Sequence, residues 1–147
     1  MKNSGFTLIE LVVMITIIGI IATVATPRFF EQRTFDTRRF ADLTTSMLRY
    51  GQKIAIAQHR DVFVVMTSSS VRLCYTAGCA SGVMDPANAG SAFIGTAPSG
   101  ITISPVPAAF FFDAQGRPSP AAQLSISVVG DSTRYIFVEQ ETGYVHP

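Results

Sequence analysis

Gly5–Thr26 reads GFTLIELVVMITIIGIIATVAT, and the order of its parts decides how the whole chain is read. Residues 1–5, MKNSG, are short and polar, with one cation at Lys2. Phe6–Thr26 then stays apolar except for Glu10, and Pro27 and Arg28 end the run. As a helix at ~1.5 Å per residue it extends roughly 31 Å, enough for a bilayer core of ~30 Å. Three readings compete. A secretory signal has a shorter apolar core with its small-residue cleavage site behind it. Ala22 and Ala25 mimic such a site, but the better small residue, Gly5, stands before the run. A plain signal anchor explains the length and Lys2 and gives Glu10 no purpose. A carboxylate inside a membrane helix costs a few kcal/mol and needs a partner. Cleavage after Gly5 supplies one. It frees an α-amino group on Phe6 that neutralises a Glu10 carboxylate, in its own chain or a neighbour's, where the dielectric is low.

GFTLIE resembles the cleavage and methylation motif of type IV pilins and type II secretion pseudopilins. That resemblance implies that a prepilin peptidase cuts between Gly5 and Phe6 and methylates Phe6. It implies that Glu10 serves subunit docking, and that Pro27 marks a kink in the helix. It further implies an inner-membrane, single-pass precursor with a periplasmic head, later part of a pilus or pseudopilus. Membrane lipid, other pilin subunits and an inner-membrane assembly platform are its expected partners. Lys2 on the cytoplasmic side agrees with the positive-inside rule.

Beyond Pro27 the composition shifts. Residues 28–60 carry seven of the 11 Lys and Arg residues of the chain. Phe40, Leu43, Met47, Tyr50, Ile54 and Ala57 recur at steps of three and four, which predicts an amphipathic helix packed along that stripe. From Asp61 the pattern turns β-like. VFVVM and VRLCY flank Ser68–Ser70 as a hairpin, and LSISVV and YIFV flank Gly130–Thr133 as another. FFF at Phe110–Phe112 precedes an Asp113–Gly116 turn, and Ala80–Gly100 reads as an irregular loop. The expected organisation is a leader at 1–5, a membrane or filament-core helix at 6–27, an amphipathic helix at 28–60 and a β-rich head at 61–147. Helix and strands segregated in this way give an α+β fold with an antiparallel sheet. Phe110–Pro118, LSISV and YIFVEQETGYV are similar to the C-terminal half of the H-type/FimT group of minor pilins and pseudopilins. QKIAIAQHR resembles minor pilins of the mannose-sensitive haemagglutinin pilus. These resemblances imply a type IV pilin-like fold and a structural, assembly-priming minor subunit. The alternatives are a type II secretion pseudopilin and a tip adhesin or DNA-uptake module.

The rest of the composition narrows chemistry. With 11 Lys+Arg, 10 Asp+Glu and a net charge of +1, no global basic field draws nucleic acid. Arg117, in the Gly116–Ser119 turn, and Arg134 make a thin patch, because phosphate contacts need several cations. Cys74 and Cys79 are a candidate disulfide in an oxidising compartment, or two free thiols. Together with only two histidines, His59 and His146, they make no zinc site. His59 falls at the helix end as a cap or packing residue, His146 near the exposed terminus, and Asp113 as an Asx-type turn residue. No nucleophile elbow, phosphate loop or paired-carboxylate spacing occurs, so neither enzyme activity nor a cofactor is expected.

Overall fold

The structure, a computed structural model, describes residues 6–147, except for the side chains of residues 24–32 and 89. The leader and the expected cleavage residue Gly5 therefore lie outside the described residues. The chain divides into two compact units, Met1–Arg33 and Thr34–Pro147.

One helix, α1, runs Leu8–Gln58 and contributes to both units. In the first unit it begins at Thr7, whose Oγ1 accepts the Glu10 N–H at 3.4 Å, while Leu11 N–H donates to Thr7 O at 3.2 Å. Thr7 is thus the N-cap and Glu10 the third helical residue, the T-x-x-E order of a capping box. The backbone remains helical at Pro27, and the kink expected there falls among residues whose side chains are not described. At the other end, His59 takes a left-handed φ of 49°, and Arg60 N–H reaches back to Ala55 O at 3.2 Å. His59 N–H donates to Ile56 O, so the helix closes on a Schellman motif with His59 in the place glycine usually takes.

In the second unit, α1 is covered by two four-stranded antiparallel sheets. Strands β1 (Val62–Met66), β2 (Ser70–Cys74), β5 (Ile94–Thr96) and β7 (Phe110–Phe112) are ordered β5-β2-β1-β7. Strands β6 (Thr102–Ile103), β8 (Leu124–Val129), β9 (Thr133–Val138) and β10 (Val145–His146) are ordered β10-β9-β8-β6. Both predicted hairpins form: Met66 pairs with Val71, and Val129 with Thr133. Alternation on β1 buries Val62, Val64 and Met66, and on β9 it buries Ile136 and Val138. These side chains join Phe112, Ile103, Ile126 and Val128 in one core with the helix.

The structure corrects two sequence expectations. The buried helical face is Thr37, Phe40, Ala41, Thr44, Met47, Leu48, Gly51 and Ala55. Leu43 and Ala57, assigned to the packed stripe, are exposed, and Tyr50 and Ile54 only edge the core. The true stripe contains glycine and threonines, which a search for large apolar residues passes over. Its small members let the sheets approach, since a Cβ on Gly51 would sit 3.1 Å from Leu73 Cδ2. Second, Ala80–Gly100 is not an irregular loop. It holds β3 (Met84–Asp85), β4 (Asn88–Ala92) and β5. Its small residues carry little β-propensity, and pairing to Ser70–Arg72 fixes β5 through the backbone.

Thr44 is fully buried, and its Oγ1 has no hydrogen-bond partner among the described residues. Valine has the same shape without the hydroxyl. Thr44→Val is expected to raise unfolding stability by about 1 kcal/mol. Thermal unfolding of the detergent-solubilised full chain measures this, and an unchanged or lowered midpoint contradicts the packing described.

Candidate functional site

The first unit presents an unusual surface. Every described side chain from Phe6 to Thr23 is exposed, including Phe6 at 73% and Ile18 at 64%. The hydroxyls within this stretch are satisfied by the helix itself: Thr16 Oγ1 donates to Val12 O at 2.7 Å and Thr23 Oγ1 to Ile20 O at 2.8 Å. Thr45 and Ser46 of the second unit bond back to Ala41 O and Leu43 O in the same way, so these bonds satisfy the hydroxyls without marking the segment. Glu10 stands out against it, with no ion pair among the described residues. Among the described residues no helix is long and apolar enough to cross a membrane. The apolar run read from sequence continues to Thr26, and the side chains of 24–26 are not among those described. Thr7 as the partner of the Glu10 amide was missed at sequence level, although T-x-x-E was present to signal it.

In the second unit the predicted residues separate. Cys74, at the end of β2, and Cys79 are joined by a disulfide with Cα atoms 5.1 Å apart. The bridge closes a tight loop in which Cys79 N–H donates to Thr76 O and Ala80 N–H to Thr76 Oγ1. Beside it, the Arg60 guanidinium lies 4.1 Å from the Tyr75 ring centre. Asp113 acts as expected, its Oδ1 accepting the N–H groups of Gln115 and Arg117 at 2.9 and 2.8 Å. Arg117 is exposed, but it shares an open cleft of about 440 Å³ with Asp113 and Glu141. One cation facing two carboxylates repels phosphate more than it attracts it.

His146 is more engaged than its position near the terminus suggested. It sits on edge strand β10, opposite Phe137, and its Nε2 lies 3.0 Å from Glu139 Oε1. Gln123 Nε2 donates to the same oxygen at 2.6 Å. The contact with Glu139, aided by the Pro147 carbonyl, raises the His146 pKa. The bonds from His146 and then Gln123 lower that of Glu139. The strand itself is fastened to the helix by Arg49, whose Nε and Nη2 donate to Val145 O at 3.1 and 2.9 Å. Gln52 Nε2 adds bonds to Gly116 O and Thr142 O at 3.0 and 2.8 Å.

With this geometry in hand, the class is defined: a long N-terminal helix under antiparallel sheets is the type IV pilin-like fold. Residues 1–26 match the family model described as the prokaryotic N-terminal methylation motif. The chain is 37% identical over 62 residues to the type IV narrow pilus major component PilA5 of Thermus thermophilus. That alignment covers 42% of this chain and spans about half, 53%, of the relative's length. Among solved structures, the minor pseudopilin EpsH of the Vibrio cholerae type 2 secretion system superposes with a TM-score of 0.57 at 16% identity, covering 76% of this chain and 94% of that one. The type IV minor pilin FimU of Pseudomonas aeruginosa gives 0.54 at 14%, covering 74% and 90%. At such identities the likeness concerns fold.

Two measurements check the head. Closing so short a loop stabilises by about 2 kcal/mol in the chain-entropy account, so Cys79→Ala is expected to lower stability by about that amount. Equal stability of the two proteins contradicts it. NMR titration of the full chain is expected to place His146 above an ordinary imidazole, and Glu139→Gln to bring it down. The raised His146 pKa contributes stability below the unfolded imidazole pKa, and that contribution is lost as pH rises through the folded one. The lowered Glu139 pKa contributes above the unfolded carboxylate pKa, and that is lost as pH falls through the folded one. The pair is therefore whole between the ordinary carboxylate and imidazole ranges. An imidazole midpoint indifferent to Glu139→Gln removes the coupling.

Proposed function

We propose that the chain is the precursor of a filament subunit, a minor pilin or pseudopilin, anchored in the inner membrane by its N-terminal helix and transferred into a helical bundle on assembly. The observation that supports this most is the helix that is apolar and exposed on every described side, headed by GFTLIE. Lipid covers such a surface first, and the like helices of neighbouring subunits cover it afterwards. Glu10 then gains the α-amino group of Phe6, freed by a prepilin peptidase cutting after Gly5, and this pairing favours docking in register over withdrawal. The head sets which subunits fit, and the reading needs neither catalysis nor a cofactor. A pilus of the mannose-sensitive haemagglutinin type is favoured by the QKIAIAQHR resemblance. A type II secretion pseudopilus is the second reading, favoured by the likeness of fold to EpsH.

Glu10 also occupies the third helical position after Thr7, where glutamine suits a capping box as well as glutamate does and carries no charge. Glu10→Gln and Glu10→Ala are both expected to insert in the membrane and to reduce incorporation into sheared filaments by at least about tenfold, the cost of one lost ion pair in a low-dielectric layer. Normal incorporation of Glu10→Gln removes the electrostatic role. Mass spectrometry of the mature protein is expected to begin at N-methylated Phe6. A chain still beginning at Met1 overturns the processing.

A further inference from the structure

The outer face of the second sheet carries a patch that neither the core nor the N-terminal helix explains. Tyr135 and Phe137 project from β9 on the side opposite buried Ile136 and Val138. Their rings lie 6.4 Å apart and 17° from parallel. Phe137 packs on His146 at 5.5 Å, and His146 on Tyr144 at 5.4 Å. The two ends of this array stay open, with Tyr135 55% and Tyr144 59% exposed. Glu139 continues the same face and is 39% exposed, with Glu141 exposed in the following turn. Aromatic faces are electron-rich, and exposed Glu141 adds negative charge beside them, while Glu139 is already engaged by His146 and Gln123. The open rings of Tyr135 and Tyr144 therefore suit a planar cation.

The same head offers such cations on its helix. Arg38 and Arg39 are exposed, and Arg39 has 71% of its side chain in solvent. Arg39 lies 6.0 Å from the ring of Phe35, itself 61% exposed. Its ion pair to Asp36 is a 4.0 Å contact on the surface. Two arginines beside an open aromatic ring complement an aromatic–carboxylate face in both charge and polarity.

We infer that the Tyr135–Phe137–Tyr144 patch, with Glu141 beside it, receives the Phe35–Arg38–Arg39 face of a second copy of this chain. This rests on the filament-subunit reading and supplies it with a head-to-head contact. The two faces sit at different heights on one helix. Arg49 binds Val145 O, so the patch lies at the level of Arg49, eleven residues beyond Arg38. At ~1.5 Å per residue that offset is about 16 Å along the axis. Copies whose helices point the same way can join the two faces only when one is shifted by about that rise. Each copy then gives one face and receives the other, a heterologous contact that does not close on itself. Contact of this kind sets one copy above another along the axis and gives no symmetric dimer.

Photocrosslinking tests the contact in membranes containing the full mature chain. Tyr135→p-benzoylphenylalanine is expected to give a crosslink between copies, mapped by mass spectrometry to residues 34–42. The double change Arg38→Glu, Arg39→Glu is expected to lower the yield about tenfold, as is Tyr144→Lys on the receiving face. All four substituted positions are exposed, so the intact disulfide and an unchanged unfolding midpoint serve as the check on folding. Absence of any crosslink, a crosslink to the same patch of the second copy or to another protein, or a yield unmoved by the charge reversals overturns the inference. A chain that begins at methylated Phe6 and depends on Glu10 but gives no such crosslink refutes this contact alone. A chain still beginning at Met1 refutes the filament reading whatever the crosslinks show.

Discussion

The seam between α1 and its two sheets is the constraint on which the head depends. A helix presents one stripe, and two separate sheets must reach it at once. Gly51 lets Leu73 approach from one sheet, and Gly95 of β5 lies where a Cβ would stand 2.7 Å from Met47 Sδ. From the other side, a Cβ on Gly130 would collide with Thr37 Oγ1. Small residues thus occur on both partners, as close packing without voids requires. Larger groups fill the space beside them: Met47, Leu48, Leu73, Phe112 and Ile126 are all fully buried.

That seam leaves the edges of the head to polar fastenings. Arg49 and Gln52 reach from the helix to carbonyls of Val145, Gly116 and Thr142, which carry no side-chain preference of their own. Gly116, with φ of 81°, and Gly143, with φ of 65°, allow these turns to approach the helix and each other. The two-residue strand β10 is held in this way although its own ladder is short. Its anchoring places His146 against Phe137 and Glu139, so the aromatic face follows from the packing of the helix beneath. Local chemistry and long-range packing meet at Arg49, which holds the strand and sets its height along α1.

The two units carry different surfaces. In Thr34–Pro147 apolar side chains turn inward, and the exposed helical face carries Arg38, Arg39, Asp42 and Lys53. In the first unit the same helix exposes isoleucines, leucines and valines. One continuous helix therefore carries an amphipathic pattern in one unit and a uniformly apolar one in the other. The second pattern is the one on which the proposed membrane and filament role rests.

Sequence alone determined what is local. The apolar run, Gly5 ahead of it and Glu10 within it form a signal that requires no partner to be read. The hairpins at Ser68–Ser70 and Gly130–Thr133, and the Asp113 turn, were legible because a few adjacent residues fix their geometry. Tertiary structure decided the rest. Thr37, Thr44 and Gly51 face the core because the sheets approach there, and hydrophobicity favoured Leu43 and Ala57 instead. Strand β5 exists within a Gly- and Ala-rich stretch because β2 supplies its hydrogen bonds. Tyr135, Phe137, Tyr144 and His146 share one face only through the register of β9 against β10, which joins residues whose spacing carries no common period. Local rules fix a residue's conformation, whereas its neighbours across the fold follow from the packing of all the elements together.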